Sequence, residues 1–156
     1  MINVEYSVTV HEIEASDWEC ESNNNRQTAN PITAASRTIH ATLGGDDDYG
    51  DWFSFELSTR SMVTLDFMYD GNVTVDKRGK GVYVELYKDN EAQPRRSASN
   101  LTEDYMTSVA VPAGKYYVHV GASVINSSSY SPQSGTEYAV SYSATPTTAY
   151  DEAERG

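Results

Sequence analysis

The chain has 156 residues, of which 23 are Asp or Glu and 11 are Lys or Arg, giving a formal net charge of −12. This length is typical of one domain, and no run approaches the ~18 apolar residues that a membrane span needs. Phosphate groups attract basic surfaces, so we expect neither nucleic acid nor an anionic membrane as a partner. The excess of acidic over basic residues favours cations as ligands. A single cysteine, Cys20, excludes an intrachain disulfide framework and a multi-cysteine metal cluster.

The first half of the chain alternates apolar and polar residues, which is the pattern of half-buried strands. Such strands are predicted at residues 2–10, 38–43 and 51–57. The polar residues 18–30 predict a loop. Residues 44–50, rich in Gly and Asp, predict a turn before the strand at 51–57.

The second half continues the same alternation. Further strands are predicted at residues 62–69, 82–87, 105–111, 116–120 and 138–142. Residues 89–100 are polar and predicted to be irregular. No segment sustains the spacing of an amphipathic helix, so the sequence predicts an all-β, antiparallel sandwich or barrel of about eight strands.

The domain organisation is predicted to be simple. Residues 1–17 form an N-terminal strand and linker, residues 18–145 form the module, and residues 146–156 form an acidic C-terminal linker. The first residues lack the basic start and apolar stretch of a signal peptide. The chain is therefore either cytosolic or, as we expect, a module cut from a longer secreted enzyme, with the neighbouring domains of that enzyme as partners.

Catalysis is not expected. His11, His40 and His119 are the histidines that could act as a base. His40 and His119 occupy polar positions of alternating strands, where an outward-facing side chain is the ordinary interpretation. The sequence also lacks a Gly-x-Ser-x-Gly elbow, a phosphate-binding glycine loop and a His-Glu-x-x-His motif. The chain is therefore predicted not to be an enzyme.

Two groups of acidic and amide residues suggest a cation site, one at residues 19–25 and the other at residues 46–51. Calcium takes about 6–8 oxygen ligands from carboxylates and carbonyls. In an extended segment Glu19, Glu21 and Asn23 point to the same side, and the Asp-rich turn would add negative charge. The alternative is that both groups are solvated loops that keep an acidic protein soluble.

The order of these signals resembles the bacterial pre-peptidase C-terminal domain family, including the related collagen-binding domains of clostridial collagenases. The matching segments lie between about residues 18 and 144. They are Glu19-Cys-Glu-Ser-Asn-Asn-Asn, Thr28-Ala-Asn-Pro-Ile, Ala41-Thr-Leu-Gly-Gly, Asp48-Tyr-Gly-Asp-Trp-Phe-Ser-Phe, Val82 to Tyr87, Pro112-Ala-Gly-Lys-Tyr-Tyr-Val-His-Val and Tyr138-Ala-Val-Ser-Tyr.

The resemblance implies a non-catalytic, jelly-roll-like β-sandwich that accompanies a secreted hydrolase. It also implies a calcium site, because members that bind calcium use the acidic opening segment and two Asp before the aromatic strand. Carried over to this sequence, the implied ligands are Glu19, Glu21, Asn23, Asn24, Asp48 and Asp51. Asn24 stands where Asp is common in the family, so one ion is expected.

The aromatic residues divide between the two faces of the predicted strands. Those on the apolar faces are predicted to form the core: Phe53, Phe55, Phe67, Tyr116, Tyr138 and Tyr142. Tyr83, Tyr87 and Tyr117 fall on the opposite face, and Trp52 is expected to be half-exposed. We interpret this set as a binding face for polysaccharide or, alternatively, for a fibrous protein. Cross-strand pairing that only stabilises the sheet remains the other interpretation, in which the domain is a spacer that binds calcium alone.

Overall fold

The computed structural model describes residues 18–35, 37–43, 50–69, 82–122 and 136–151. Within these ranges two β-sheets pack face to face around one apolar core, which confirms the predicted all-β sandwich. The strand predicted at residues 2–10 and the Asp-rich turn lie outside the described residues. No helix in the described part of the chain is long and apolar enough to cross a membrane.

Nine strands are described. They are β1 (Asn30–Pro31), β2 (Ile39–Leu43), β3 (Asp51–Leu57), β4 (Ser61–Tyr69), β5 (Val82–Lys88), β6 (Arg96–Leu101), β7 (Tyr105–Val111), β8 (Gly114–Ala122) and β9 (Thr136–Pro146). One sheet has the order β1-β3-β8-β5-β6 and the other has the order β2-β9-β4-β7. A 3-10 turn, Arg26–Thr28, precedes β1.

The alternation in the sequence explains which residues reach the core. In β2, for example, Ile39, Ala41 and Leu43 are buried while the residues between them are partly exposed. Successive side chains of a strand point to opposite faces, so one face of each sheet is apolar. All six aromatic residues predicted for the core are buried: Phe53, Phe55, Phe67, Tyr116, Tyr138 and Tyr142.

Two strands depart from the prediction. The polar segment Arg96–Leu101, predicted to be irregular, forms the edge strand β6, which pairs with β5. Charged and polar residues are common on edge strands, where they discourage pairing with other chains. The second departure is β1, whose two residues pair in parallel with β3, whereas the other pairs are antiparallel.

The segment after β9 contacts the sandwich as far as it is described. Thr147 N donates to Arg60 O at 3.0 Å, and the Arg60 guanidinium lies 3.9 Å from the centre of the Tyr150 ring. Arg96 Nη1 and Asp151 Oδ2 are 3.1 Å apart. Three separate contacts therefore hold residues 147–151 against the body of the fold, and the boundary proposed at residue 146 remains a prediction.

Candidate functional site

Three carboxylates from two distant parts of the sequence meet at one end of β3. Oxygen atoms of Glu19, Glu21 and Asp51 all lie within 4.8 Å of one another. Glu19 is partly buried, Glu21 is exposed and Asp51 is fully buried. Like charges this close repel each other, and a bound cation would relieve this repulsion.

Asp51 is fixed by its neighbours in the chain and by the opposite sheet. It is the first residue of β3 and its side chain points into the sandwich, where Tyr138 of β9 donates a hydrogen bond to Oδ2. Gly50 enters the strand with a φ of +92°, and a Cβ there would lie 2.6 Å from Val120 O. Glycine is needed at this position because the chain turns sharply against the backbone of β8.

Glu19 is held against β2. Its Oε1 accepts hydrogen bonds from Thr42 N at 2.7 Å and from Thr42 Oγ1 at 3.2 Å, and Glu19 N donates to His40 O at 2.9 Å. Burial, assisted by the negative charge of Glu21, raises the pKa of Glu19, although the bond from Thr42 opposes this shift. The ionised form is therefore short of positive partners.

Asn23 contacts Glu19 and carries a further amide oxygen. Its side chain is fully buried, and its Nδ2 donates to Glu19 Oε2 at 3.3 Å and to Asn30 Oδ1 at 3.1 Å. Its Oδ1 is buried and has no hydrogen-bond partner in the part of the chain that the structure describes. A buried amide oxygen without a partner costs roughly 1–3 kcal/mol, so a ligand for this atom is expected.

A divalent ion of the size of calcium fits these oxygens. Calcium–oxygen distances are about 2.4 Å, so two ligands on opposite sides of the ion are about 4.8 Å apart. The three carboxylates satisfy this limit, and the amide oxygen of Asn23 is of the type that calcium accepts. Glu19, Glu21, Asn23 and Asp51 are therefore the residues that would hold the ion.

The six predicted metal ligands can now be placed. Glu19, Glu21 and Asp51 lie close together, and Asn23 contacts Glu19. Asn24 is half-buried and its role as a ligand stays a prediction. Asp48 lies outside the described residues.

Sequence reasoning did not assign three residues that organise this site. Thr42 and Tyr138 bind the carboxylates of Glu19 and Asp51 respectively. Asn30 holds the backbone of the acidic segment, because its Oδ1 accepts from Cys20 N at 2.8 Å and its Nδ2 donates to Cys20 O at 3.1 Å. A buried Tyr hydroxyl needs a partner, which is the one signal that could have pointed to Tyr138.

The predicted aromatic residues share the outer face of the five-stranded sheet. In the strand register Trp52 lies opposite His119, and Tyr117 lies opposite Tyr87. The ring of Trp52 stacks on His119 with centroids 4.0 Å apart and lies 5.6 Å from the ring of Tyr87. Tyr83 packs edge-on against His119. The four predicted residues thus form one half-buried surface, which we call the aromatic face.

Polar contacts tie the aromatic face together. Tyr83 Oη and His119 Nε2 are 3.3 Å apart, and His119 Nδ1 is 3.3 Å from Glu85 Oε1. Tyr87 Oη donates to Glu85 Oε2 at 2.9 Å. Burial is the larger cause and this contact with the Glu85 carboxylate the next largest; together they raise the pKa of Tyr87 to about 12. The rings are therefore held in fixed orientations.

Arg26 covers the centre of the aromatic face, a feature that the sequence did not predict. Its guanidinium carbon lies 4.5 Å from the centre of the Tyr87 ring, 5.3 Å from Trp52 and 5.8 Å from Tyr117. These distances are in the range of cation–π attraction. Three of the four predicted binding aromatics therefore contact an arginine of the same chain.

The fold is similar to that of a pre-peptidase C-terminal domain. The domain belongs to a collagenase from Bacillus anthracis, with 20% sequence identity, a TM-score of 0.53 and coverage of 73% of this chain and 93% of that one. A second similar structure is PliG from Aeromonas hydrophila, a periplasmic inhibitor of g-type lysozyme (12% identity, TM-score 0.41, 75% and 96% coverage). No protein-family model and no curated protein matches the sequence. At this identity the first comparison establishes a shared fold.

Proposed function

We propose that this chain is a non-catalytic accessory module of a secreted hydrolase, stabilised by one bound calcium ion. The observation that carries the proposal is the cluster of Glu19, Glu21 and Asp51, together with the buried Oδ1 of Asn23, which has no hydrogen-bond partner among the described residues. The shared fold with a domain of a collagenase supports the accessory role. In this role the neighbouring domains of the parent enzyme are the first partners.

The ion would act as a staple between the acidic segment and the sandwich. Glu19 and Glu21 belong to a segment without regular structure, whereas Asp51 begins a central part of the fold in β3. Binding one ion joins the two parts and removes the repulsion among their carboxylates. Because only the folded chain assembles this set, binding adds to the free energy of unfolding.

Thermal unfolding in EDTA and in excess calcium tests whether the ion stabilises the folded chain. At about 100 times Kd, calcium stabilises the folded state by about 2.7 kcal/mol, and each kcal/mol raises the Tm of a chain of this size by about 2–4 °C. Glu21→Gln should remove most of this increase because it takes one negative charge from the cluster. Glu21 is exposed, so the substitution itself should cost little stability. Glu103→Gln, at another exposed glutamate, is the matched control. A Tm that is the same with and without calcium in every variant would contradict the proposal.

For the ligand of the module we propose polysaccharide bound at the aromatic face. Tyr83, Tyr87, Tyr117 and Trp52 offer ring surfaces and hydroxyl groups, which suit the apolar faces and hydroxyls of sugar rings. Affinity electrophoresis against a panel of polysaccharides, run both with calcium and with EDTA, should retard the wild type in at least one of the two conditions but Tyr117→Ala in neither. Met106→Ala, at an exposed residue of β7 in the other sheet, is the control and should be retarded as strongly as the wild type.

One observation favours a different function, that of a spacer with calcium as its ligand. Arg26 already contacts Trp52, Tyr87 and Tyr117, so the aromatic face has an occupant from its own chain. Mobility unchanged in every polysaccharide would support this alternative. Because the similar structure belongs to a collagenase, a collagen pull-down is the matching experiment for a fibrous-protein ligand.

A further inference from the structure

Arg26 connects the candidate calcium site to the aromatic face. It follows Asn23 by three residues, and its guanidinium lies over Trp52, which directly follows Asp51 in β3. Asp51 points into the sandwich and Trp52 points out, because successive residues of a strand alternate. The candidate calcium site and the aromatic face therefore lie on opposite sides of β3, at two adjacent residues.

A backbone hydrogen bond joins the acidic segment to β3 at this point. Trp52 N donates to Asn23 O at 2.9 Å. The acidic segment thus lies beside the start of β3, and Arg26 continues from it onto the outer face of the sheet. A displacement of the segment at Asn23 would change the path of the chain that leads to Arg26.

The far end of the Arg26 side chain is anchored beyond β5. Its Nη1 donates to Asp89 O and its Nη2 donates to Glu91 O, both at 2.8 Å. Those carbonyls follow β5 directly, so the guanidinium is bound at the end of this strand while it lies over the rings of the aromatic face. Arg26 acts as a strap whose root is the acidic segment and whose tip is bound at the end of β5.

We propose that calcium binding and the seating of Arg26 on the aromatic face are energetically coupled. The inference rests on the calcium site proposed above and adds a regulatory role to it. With the ion bound, the acidic segment is docked and Arg26 covers the rings. Without the ion, repulsion among Glu19, Glu21 and Asp51 loosens the segment, Arg26 withdraws, and Trp52, Tyr87 and Tyr117 become accessible.

Coupling between two sites is reciprocal, so loss of the strap must weaken calcium binding. Arg26 is not one of the oxygen ligands, and Arg26→Ala leaves them in place. Calorimetric titration should show calcium affinity reduced about 5-fold or more, the lower end of typical coupling factors. Arg37→Ala is the control, because this arginine of the β1–β2 connection bonds to Thr33. Circular dichroism checks that both variants fold, and Arg26→Lys should give an intermediate loss because it keeps the charge but not the paired hydrogen bonds.

Fluorescence of Trp52 reports the strap directly. The sequence has two tryptophans, and Trp18 lies beside Glu19, so Trp18→Phe leaves Trp52 as the sole reporter. Adding EDTA to the calcium-loaded Trp18→Phe protein should shift the emission to longer wavelength and increase quenching by acrylamide. The same addition should have little effect when Arg26→Ala is combined with Trp18→Phe.

The outcomes separate this inference from the proposed function. If calcium binds the wild type and Arg26→Ala with equal affinity, the coupling is overturned and the calcium site stands. The same conclusion follows if calcium binds but the Trp52 emission of the Trp18→Phe protein does not change. No calcium binding to the wild type would overturn both. Calcium binding that is weakened in Arg26→Ala but not in Arg37→Ala, together with the calcium-dependent emission shift, would establish the coupling.

Discussion

The hydroxyl of Tyr138 donates a hydrogen bond to Oδ2 of Asp51, and the two residues belong to different sheets of the sandwich. This contact fixes the orientation of a fully buried carboxylate at the edge of the candidate metal site. It also explains why a tyrosine occupies this core position, because phenylalanine would fill the same space without a donor.

Tyr138→Phe should therefore lower the free energy of unfolding by about 1.5–3 kcal/mol, the range for hydrogen bonds to charged groups. Chemical denaturation in EDTA measures the loss without a contribution from metal. Tyr142→Phe, the same change at another buried tyrosine of β9 that stacks on Phe55, is the control and should cost less. Equal losses in the two variants would contradict the special role of Tyr138.

Gly50→Ala should destabilise the fold and weaken calcium binding. Its φ of +92° disfavours a side chain, and the added Cβ would meet Val120 O at 2.6 Å. Such strain costs about 1–3 kcal/mol before the clash is counted. Gly114→Ala is a useful comparison, because Gly114 also has a positive φ but its nearest neighbour is the flexible side chain of Lys88, at 3.1 Å. Denaturation curves that place Gly114→Ala below Gly50→Ala in stability would contradict this account.

Two tyrosines, Tyr69 of β4 in the four-stranded sheet and Tyr87 of β5 in the five-stranded sheet, give a pH dependence. The pKa values of Tyr69 and Tyr87 are each raised to about 12, in both cases chiefly by burial. An unfolded chain ionises its tyrosines near pH 10. Since the folded pKa values are higher, this contribution to stability is complete below pH 10 and is lost as the pH rises through 12.

Spectrophotometric titration of the phenol groups tests this behaviour. In the folded protein Tyr69 and Tyr87 should be among the tyrosines that ionise near pH 12, and Tyr87→Phe should remove one of these ionisations. In strong denaturant the whole set should titrate near the ordinary pKa. A single transition near pH 10 in the folded protein would be inconsistent with the burial described here.

The segment after β9 is expected to add a small amount of stability. Arg96 and Asp151 form an ion pair that is partly exposed, so solvent screening limits it to about 0.5–1 kcal/mol. A double-mutant cycle with Arg96→Ala and Asp151→Ala isolates this energy from other effects of each substitution. A coupling energy of zero would support the sequence prediction that the segment is only a linker.

The strands could be predicted from the sequence where one face is buried. Residues 51–57 alternate strictly because Phe53, Phe55 and Leu57 fill the core, and the observed bounds of β3 agree. In contrast, Arg96–Leu101 carries no apolar alternation, and it becomes a strand only because β5 offers an edge to pair with. Long-range pairing of this kind leaves no local signal in the sequence.

The candidate site was predictable only where local alternation in the sequence, or the family resemblance, places its residues. Alternation placed Glu19, Glu21 and Asn23 on one side of an extended segment, and the resemblance supplied Asp51. The contacts from Thr42 and Tyr138 depend on how β2 and β9 approach these carboxylates in space. The position of Arg26 depends on the turn that begins at Asn25, so no spacing rule could have placed its guanidinium over Trp52.

Calcium titration calorimetry of the chelator-treated wild-type chain tests the central claim most directly. We expect saturable binding of one ion per chain, with loss of most of the affinity in Glu21→Gln and unchanged affinity in Glu103→Gln. Heats no larger than those of dilution for the wild type would show that Glu19, Glu21, Asn23 and Asp51 do not form a calcium site.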